Sequence, residues 1–214
     1  MKRSKQIFIT TLSSLAVLAA LGSGTLLTMH AANDVSAVSQ TDAPKTATAA
    51  STKLTATTAS GTKSDYTVTY RGDDQKATYQ KETLGKTSTA KDEVDYVGGN
   101  TAGATVKLSS NTTAVMQGVM GHTYVHWNTG KWSVTAVTDN ADAAGTPKQF
   151  AKQVNTQLKR DSLPSDATTG AVTVYSGTDK NQTNTVKWQS GKKLYTVSGQ
   201  TAASTVKLAQ NSNN

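Results

Sequence analysis

The sequence predicts an α+β fold: an antiparallel sheet of six or more strands, one long amphipathic helix on a face, and a short C-terminal helix. Three observations predict it. Thr113–Met120, His122–Trp127 and Lys131–Thr138 read as successive strands, rich in β-branched and aromatic residues. Phe150, Ala151, Val154 and Leu158 then form an apolar stripe at helical spacing. Strand patterning returns at Ala171–Tyr175, Thr185–Trp188 and Lys193–Val197.

Each element has a local reason. Asn128-Thr129-Gly130 supplies turn chemistry between two of the central strands. Side chains alternate along a strand, so Thr123, Val125 and Trp127 share one face, and Trp132, Val134 and Ala136 share the next. The short loop can set Trp132 across from Trp127, which makes a core face that also takes in Trp188. The helix has an N-cap in Thr146, proline at its first position in Pro147, and a capping box completed by Gln149. Lys148, Lys152, Lys159 and Arg160 lie off its apolar stripe, and Leu163-Pro164 stops it. Upstream, Tyr66–Tyr70 reads as a strand, Arg71–Asp74 as a turn and Gln75–Lys81 as the return. The tripeptide Arg71-Gly72-Asp73 matches an integrin-binding motif, but a turn between two strands accounts for it.

Two internal echoes suggest a decayed β-β-β-α duplication. Gln189-Ser190-Gly191-Lys192 resembles the Asn128–Lys131 turn, and Gly99–Leu108 matches Gly199–Leu208 at seven of ten positions. The offsets differ, so no single tandem period fits a solenoid. The short closing helix is expected at Ala202–Ala209.

The N-terminus reads as a targeting segment. Lys2, Arg3 and Lys5 precede an uncharged, apolar stretch from Ile7 to Met29, and small residues follow at Ala31-Ala32 and Ser36-Ala37. That order is a signal peptide, 1–32, with cleavage after Ala32 or Ala37. An uncleaved anchor is the alternative, since the apolar stretch is nearly long enough to span a bilayer. Residues 33–63 are Ala, Thr and Ser with scattered Lys, too poor in large apolar side chains to offset ordering entropy. They read as a disordered tether. Residues 64–214 then form a single α+β domain.

Charge and cysteine usage narrow the class. The formal net charge is +8. Lys2, Arg3 and Lys5 supply three of the 22 basic residues, leaving 19 against 14 acidic ones, or about +5. A basic exported chain has an electrostatic partner in anionic wall polymers or envelope proteins. Nucleic acid is not expected, because no basic run is interleaved with aromatics. Membrane contact is expected only through an uncleaved leader. The chain has no cysteine. Disulfides, thiol nucleophiles, cysteine metal sites and a lipid-modified cysteine are thereby excluded.

The search for chemistry yields a binding strip and no catalytic constellation. His122 and His126 stand four residues apart on a strand, roughly 13 Å from each other, too far to share one zinc. With Tyr124 they form a polar-aromatic strip opposite Trp127, so His122, Tyr124 and His126 are the candidate binding residues. Asn140–Gly145 resembles part of a calcium loop, with Asp139 and Asp142 as the carboxylates that could hold the ion weakly. Its fifth position is Ala144 and its twelfth Ala151, so the decisive ligands are missing. No Gly-x-Ser-x-Gly elbow occurs, and the carboxylates Asp73, Asp74, Asp92, Glu93 and Asp95 sit in polar, turn-like stretches. No metal and no cofactor is expected.

From Tyr124 to Trp132 the chain resembles a group of uncharacterised secreted proteins and lipoproteins of Gram-positive bacteria. The resemblance rests on a Tyr-x-His-Trp-Asn-x-Gly-x-Trp hairpin, a helix ending in Leu-Pro (Gln149 to Pro164) and a later Val-x-Trp-x-x-Gly-x-x-x-Tyr hairpin (Val186 to Tyr195). It covers roughly Thr101 to Ala209, and the C-terminal part is similar to a widespread envelope domain of unknown function. The chain departs from many of these relatives in lacking the lipobox cysteine. What the resemblance implies is location and fold class. The functional expectation is an exported, non-enzymatic envelope protein, secreted or cell-surface associated, that binds a wall polymer, a glycan or a partner protein. The alternative is an exported hydrolase acting on wall or extracellular substrate.

Overall fold

The computed structural model describes residues 34–99, 102–141, 145–177 and 182–213. The leader expected at 1–32 lies outside them. Among the described residues no helix is long and apolar enough to cross a membrane. Asn33–Asn214 make one compact unit. Its strands are β1 (Asp34–Val35), β2 (Thr46–Ala49), β3 (Thr52–Thr62), β4 (Tyr66–Gly72), β5 (Gln75–Thr83), β6 (Ala104–Ser109), β7 (Thr112–Val119), β8 (His122–Thr129), β9 (Trp132–Asp139), β10 (Thr169–Tyr175), β11 (Asn184–Ser190) and β12 (Lys193–Gly199). The α-helices among the described residues are α1 (Thr87–Asp92), α2 (Pro147–Arg160) and α3 (Ala202–Gln210).

The fold is α+β, built on one large and mostly antiparallel sheet. Its order is β1-β3-β4-β5-β12-β11-β10-β9-β8-β7-β6, with β2 also pairing β3. The exception is β9 beside β10, which run parallel. A parallel neighbour cannot be reached by a tight turn. Here α2 makes the crossover and covers the sheet on its way. The sequence reading missed this pair, because strand direction is not written in strand composition.

Register turns the alternation into a continuous core. Ala59, Val68, Tyr79, Val197, Val186, Val172, Val134 and Trp127 are consecutive cross-strand partners over eight strands, and all eight are buried. A second row runs Tyr66, Lys81, Tyr195, Trp188, Gly170, Trp132. Trp188 stacks on Tyr195 at 4.9 Å. A Cβ on Gly170 would sit 2.3 Å from the Trp132 ring, so only glycine leaves room for that indole. The expected facing of Trp132 and Trp127 is corrected by register. Trp127 opposes Val134, Trp132 opposes Thr129, and the Trp132 ring approaches Trp188 instead, at 6.4 Å.

Helices α2 and α3 close this inner face. Thr146 Oγ1 accepts from the Gln149 N–H at 3.2 Å and Gln149 Oε1 accepts from the Thr146 N–H at 2.9 Å, so the first turn of α2 is capped at both donors. Ala151, Val154 and Asn155 are buried beneath it. Gln157 of α2 donates to the Ala203 carbonyl at 2.8 Å, and Lys207 of α3 meets Asp161 at 3.0 Å.

The expected tether is overturned from residue 34 onward. Residues 34–62 carry three strands, and Val35, Ala43, Ala47, Leu54 and Ala59 enter the core. The physical reason lies in the partners. The segment has few large apolar groups of its own, but it covers tyrosines that do. Tyr70 donates to the Pro44 carbonyl at 2.6 Å, Tyr66 accepts from the Asp42 N–H at 3.1 Å, and Asn211 donates to the Thr46 carbonyl at 2.9 Å. Lys81, only 7 % exposed, reaches Asp42 at 3.2 Å and lies 5.2 Å from the centre of the Tyr66 ring. The pairing with β4 satisfies the backbone, and the tyrosines supply the apolar area.

Candidate functional site

The outer face of the sheet carries the strip His122, Tyr124, His126, and a short strap crosses part of it. After α1 the chain runs over β12, β11, β10 and β9. Val94 packs with Ala171 and Leu194, Asp95 pairs with Lys187 at 2.8 Å, and the Val97 N–H donates to Ser133 Oγ at 3.2 Å.

The strap divides the predicted strip. His126 is 7 % exposed, so this member of the expected binding strip is covered and not open to a ligand. Its Nδ1 lies 3.1 Å from Thr135 Oγ1 and its Nε2 3.0 Å from Asn128 Oδ1. The Asn128 amide nitrogen donates to the Tyr96 hydroxyl at 2.9 Å and to the Val97 carbonyl at 3.0 Å. Because the Val97 carbonyl can only accept, Asn128 must turn its oxygen toward His126, and His126 must carry its proton on Nε2. Burial pushes the imidazole below its ordinary pKa. The neutral ring is therefore the folded form. The stability it contributes is full above the unfolded value of about 6.5 and falls as pH drops through it.

His122 and Tyr124 remain together, with ring centres 6.4 Å apart and an edge contact. Both are half-buried. Cross-strand pairing brings Tyr124 beside Val137, and Val137 beside Tyr175, a neighbour the sequence reading did not include. Only the parallel register of β9 and β10 brings it there. Burial, with Tyr124 nearby, pushes the Tyr175 hydroxyl up. No cluster of three metal-ligating side chains occurs among the described residues. Asp139 accepts from the Ala141 N–H at 2.9 Å, and the other residue of the calcium-like run, Asp142, lies outside the described residues.

On the inner side of the sheet, α2 turns a different surface to solvent. Lys148, Lys152, Lys159 and Arg160 are exposed, and the helix has no acidic residue along its fourteen positions. Lys152, Gln153, Thr156, Gln157 and Arg160 line a groove of about 340 Å³. Arg160 touches Asp161 at 3.6 Å and Lys159 donates to Ser109 at 2.7 Å, while Lys148 and Lys152 have no ion-pair partner among the described residues. Comparison with protein families, curated proteins and solved structures finds no match to this chain.

Proposed function

We propose that the chain is an exported, non-enzymatic envelope protein of the secreted Gram-positive group it resembles, and that it holds an anionic wall polymer against α2. The carrying observation is the single sign of that helix. Four cations and no acid occupy its exposed side, with Lys148 and Lys152 one four-residue step, about 6 Å, apart along the axis. Lys159 and Arg160 suit the negative end of the helix dipole, but the N-terminal half of the arrangement opposes the helix itself. Lys148 sits at the positive end of the dipole, and Lys148 and Lys152 repel each other across one turn. A helix selected only to cover the sheet would carry acids there. A polyanion lying along the groove reverses both costs.

A β-β-β-α duplication belongs to the same proposal. Strands β8 and β9 join through Gly130-Lys131, and β11 and β12 through Gly191-Lys192, with Gly130 and Gly191 at φ 57° and 61°. Trp127 and Trp188 stand at equal distance before those glycines, and a helix follows each hairpin. The hydrolase alternative has no comparable support, since His126 is held by Thr135 and Asn128 and not by a carboxylate.

The test is cosedimentation of the purified chain with intact walls over a range of salt. Binding should be strong at low salt and lost near 1 M, where the Debye length shrinks to about 3 Å. A Lys148→Glu, Lys152→Glu, Arg160→Glu variant should stay in the supernatant at every salt concentration. Retention of that variant, or resistance to molar salt, sinks the proposal.

A further inference from the structure

We propose a second, independent binding site: the cleft between the strap and the start of β10 takes a sugar that carries one carboxylate. The cleft measures about 560 Å³ and is lined by Lys91, Asp92, Tyr96, Lys131, Thr168 and Thr169, within the size range of small-molecule sites. It lies on the outer face, on elements separate from the exposed side of α2.

Three features converge on this ligand. The first is an aromatic platform that is held in place. Tyr96 is 42 % exposed, and its hydroxyl is fixed by the Asn128 amide at 2.9 Å. Asn128 is in turn fixed by the buried His126 at 3.0 Å. A ring held at its far end and left open on its side presents a flat apolar surface to a ligand without further ordering cost.

The second feature is charge. Lys91 and Lys131 have no ion-pair partner among the described residues, and Asp92 lines the same cleft without one. Two cations against one carboxylate leave a net of one positive charge, which suits a monoanion better than a doubly charged phosphate. The third feature is hydroxyl recognition. Asp92 and the two threonines are acceptors and donors of the kind that sugar hydroxyls need, and an inorganic anion has no use for Asp92. Aromatic face, carboxylate and cation together describe a hexuronate or another sugar carboxylate.

The experiment is a titration of the purified chain, followed by the shift of its amide resonances, with glucuronate, glucose and inorganic phosphate as separate probes. Glucuronate should shift residues of the strap and the start of β10, and glucose should bind at least tenfold more weakly. Phosphate should leave these residues unmoved. Lys131→Gln, at an exposed hairpin turn, should bring glucuronate down to the level of glucose. Tyr96→Ala should weaken both sugars, and Tyr96→Phe should fall between, because the ring is kept and its anchor lost. Equal affinity for glucose and glucuronate, equal affinity for phosphate, or no response to either sugar overturns the assignment. Glucuronate binding that survives the charge-reversed α2 variant shows that the two sites are separate, and its loss in that variant overturns the assignment to this cleft.

Discussion

Thr105-Val106-Lys107-Leu108 lies in β6, at one edge of the sheet, and Thr205-Val206-Lys207-Leu208 lies in α3, deep against the inner face. Four identical residues take two conformations. In the strand, Leu108 is buried while Thr105 and Lys107 are exposed. In the helix, Thr205, Val206 and Leu208 are all buried and Lys207 reaches Asp161. The flanks explain the difference better than the shared residues do. Gly103 stands where the helical copy has Ala203, and a Cβ on Gly103 would come within 2.6 Å of the Met116 carbonyl oxygen. Beyond the tetrad, Ser109, Ser110 and Asn111 invite a turn, whereas Ala209 and Gln210 continue a helix. Local preference leans each copy one way, and burial completes the choice. The likeness of Gly99–Leu108 to Gly199–Leu208 is therefore not a repeat of structure.

The largest effect should separate the two leucines. Leu208 is fully buried and surrounded, so Leu208→Ala should cost about 3–5 kcal/mol, while Leu108→Ala at the edge should cost about 2 kcal/mol. Urea unfolding of both variants measures this, and equal losses would mean that β6 and α3 contribute alike to the core. The glycine–alanine exchange comes next. Gly103→Ala meets the Met116 carbonyl and should cost about 1–3 kcal/mol. Ala203→Gly, at an exposed helix position, should cost only its propensity of about 1 kcal/mol. If Gly103→Ala is silent in thermal unfolding, the steric account of the strand copy is wrong.

The smallest effect concerns the two lysines. The hydrogen bond from Lys207 holds the Asp161 carboxyl below the ordinary aspartate range. A depressed carboxylate stabilises the fold above its unfolded value of about 3.9, and that contribution is lost as pH falls through the lowered one. Lys207→Ala should thus lower the unfolding midpoint slightly at neutral pH and match the parent chain in strong acid. Lys107→Ala, exposed on β6, should match it throughout. A pH-independent deficit in Lys207→Ala would assign Lys207 a packing role only.

Much of the candidate site was hidden for a related reason. Alternation placed His122, Tyr124 and His126 on one face, which the pairing of β8 preserves. What alternation cannot convey is the cover. Asp95, Tyr96 and Val97 come from more than twenty-five residues upstream and bury His126 while leaving His122 and Tyr124 half open. Tyr175 joins the strip only because α2 returns the chain parallel to β9. The cationic side of α2 was legible from spacing alone, since a helix of known start carries its own facing.

By itself the sequence determined what short-range chemistry decides. The two Gly-Lys hairpin turns follow from glycines at positive φ, the start of α2 follows from Thr146, Pro147 and Gln149, and the tryptophan faces follow from period-two alternation. Tertiary structure alone decided the parallel seam at β9 and β10, the joining of β5 to β12, and the ordering of residues 34–62. In each of these the deciding surface belongs to a partner far along the chain. Ala47 and Leu54 are ordered by the tyrosines they cover, so that outcome cannot be read from the segment that adopts it.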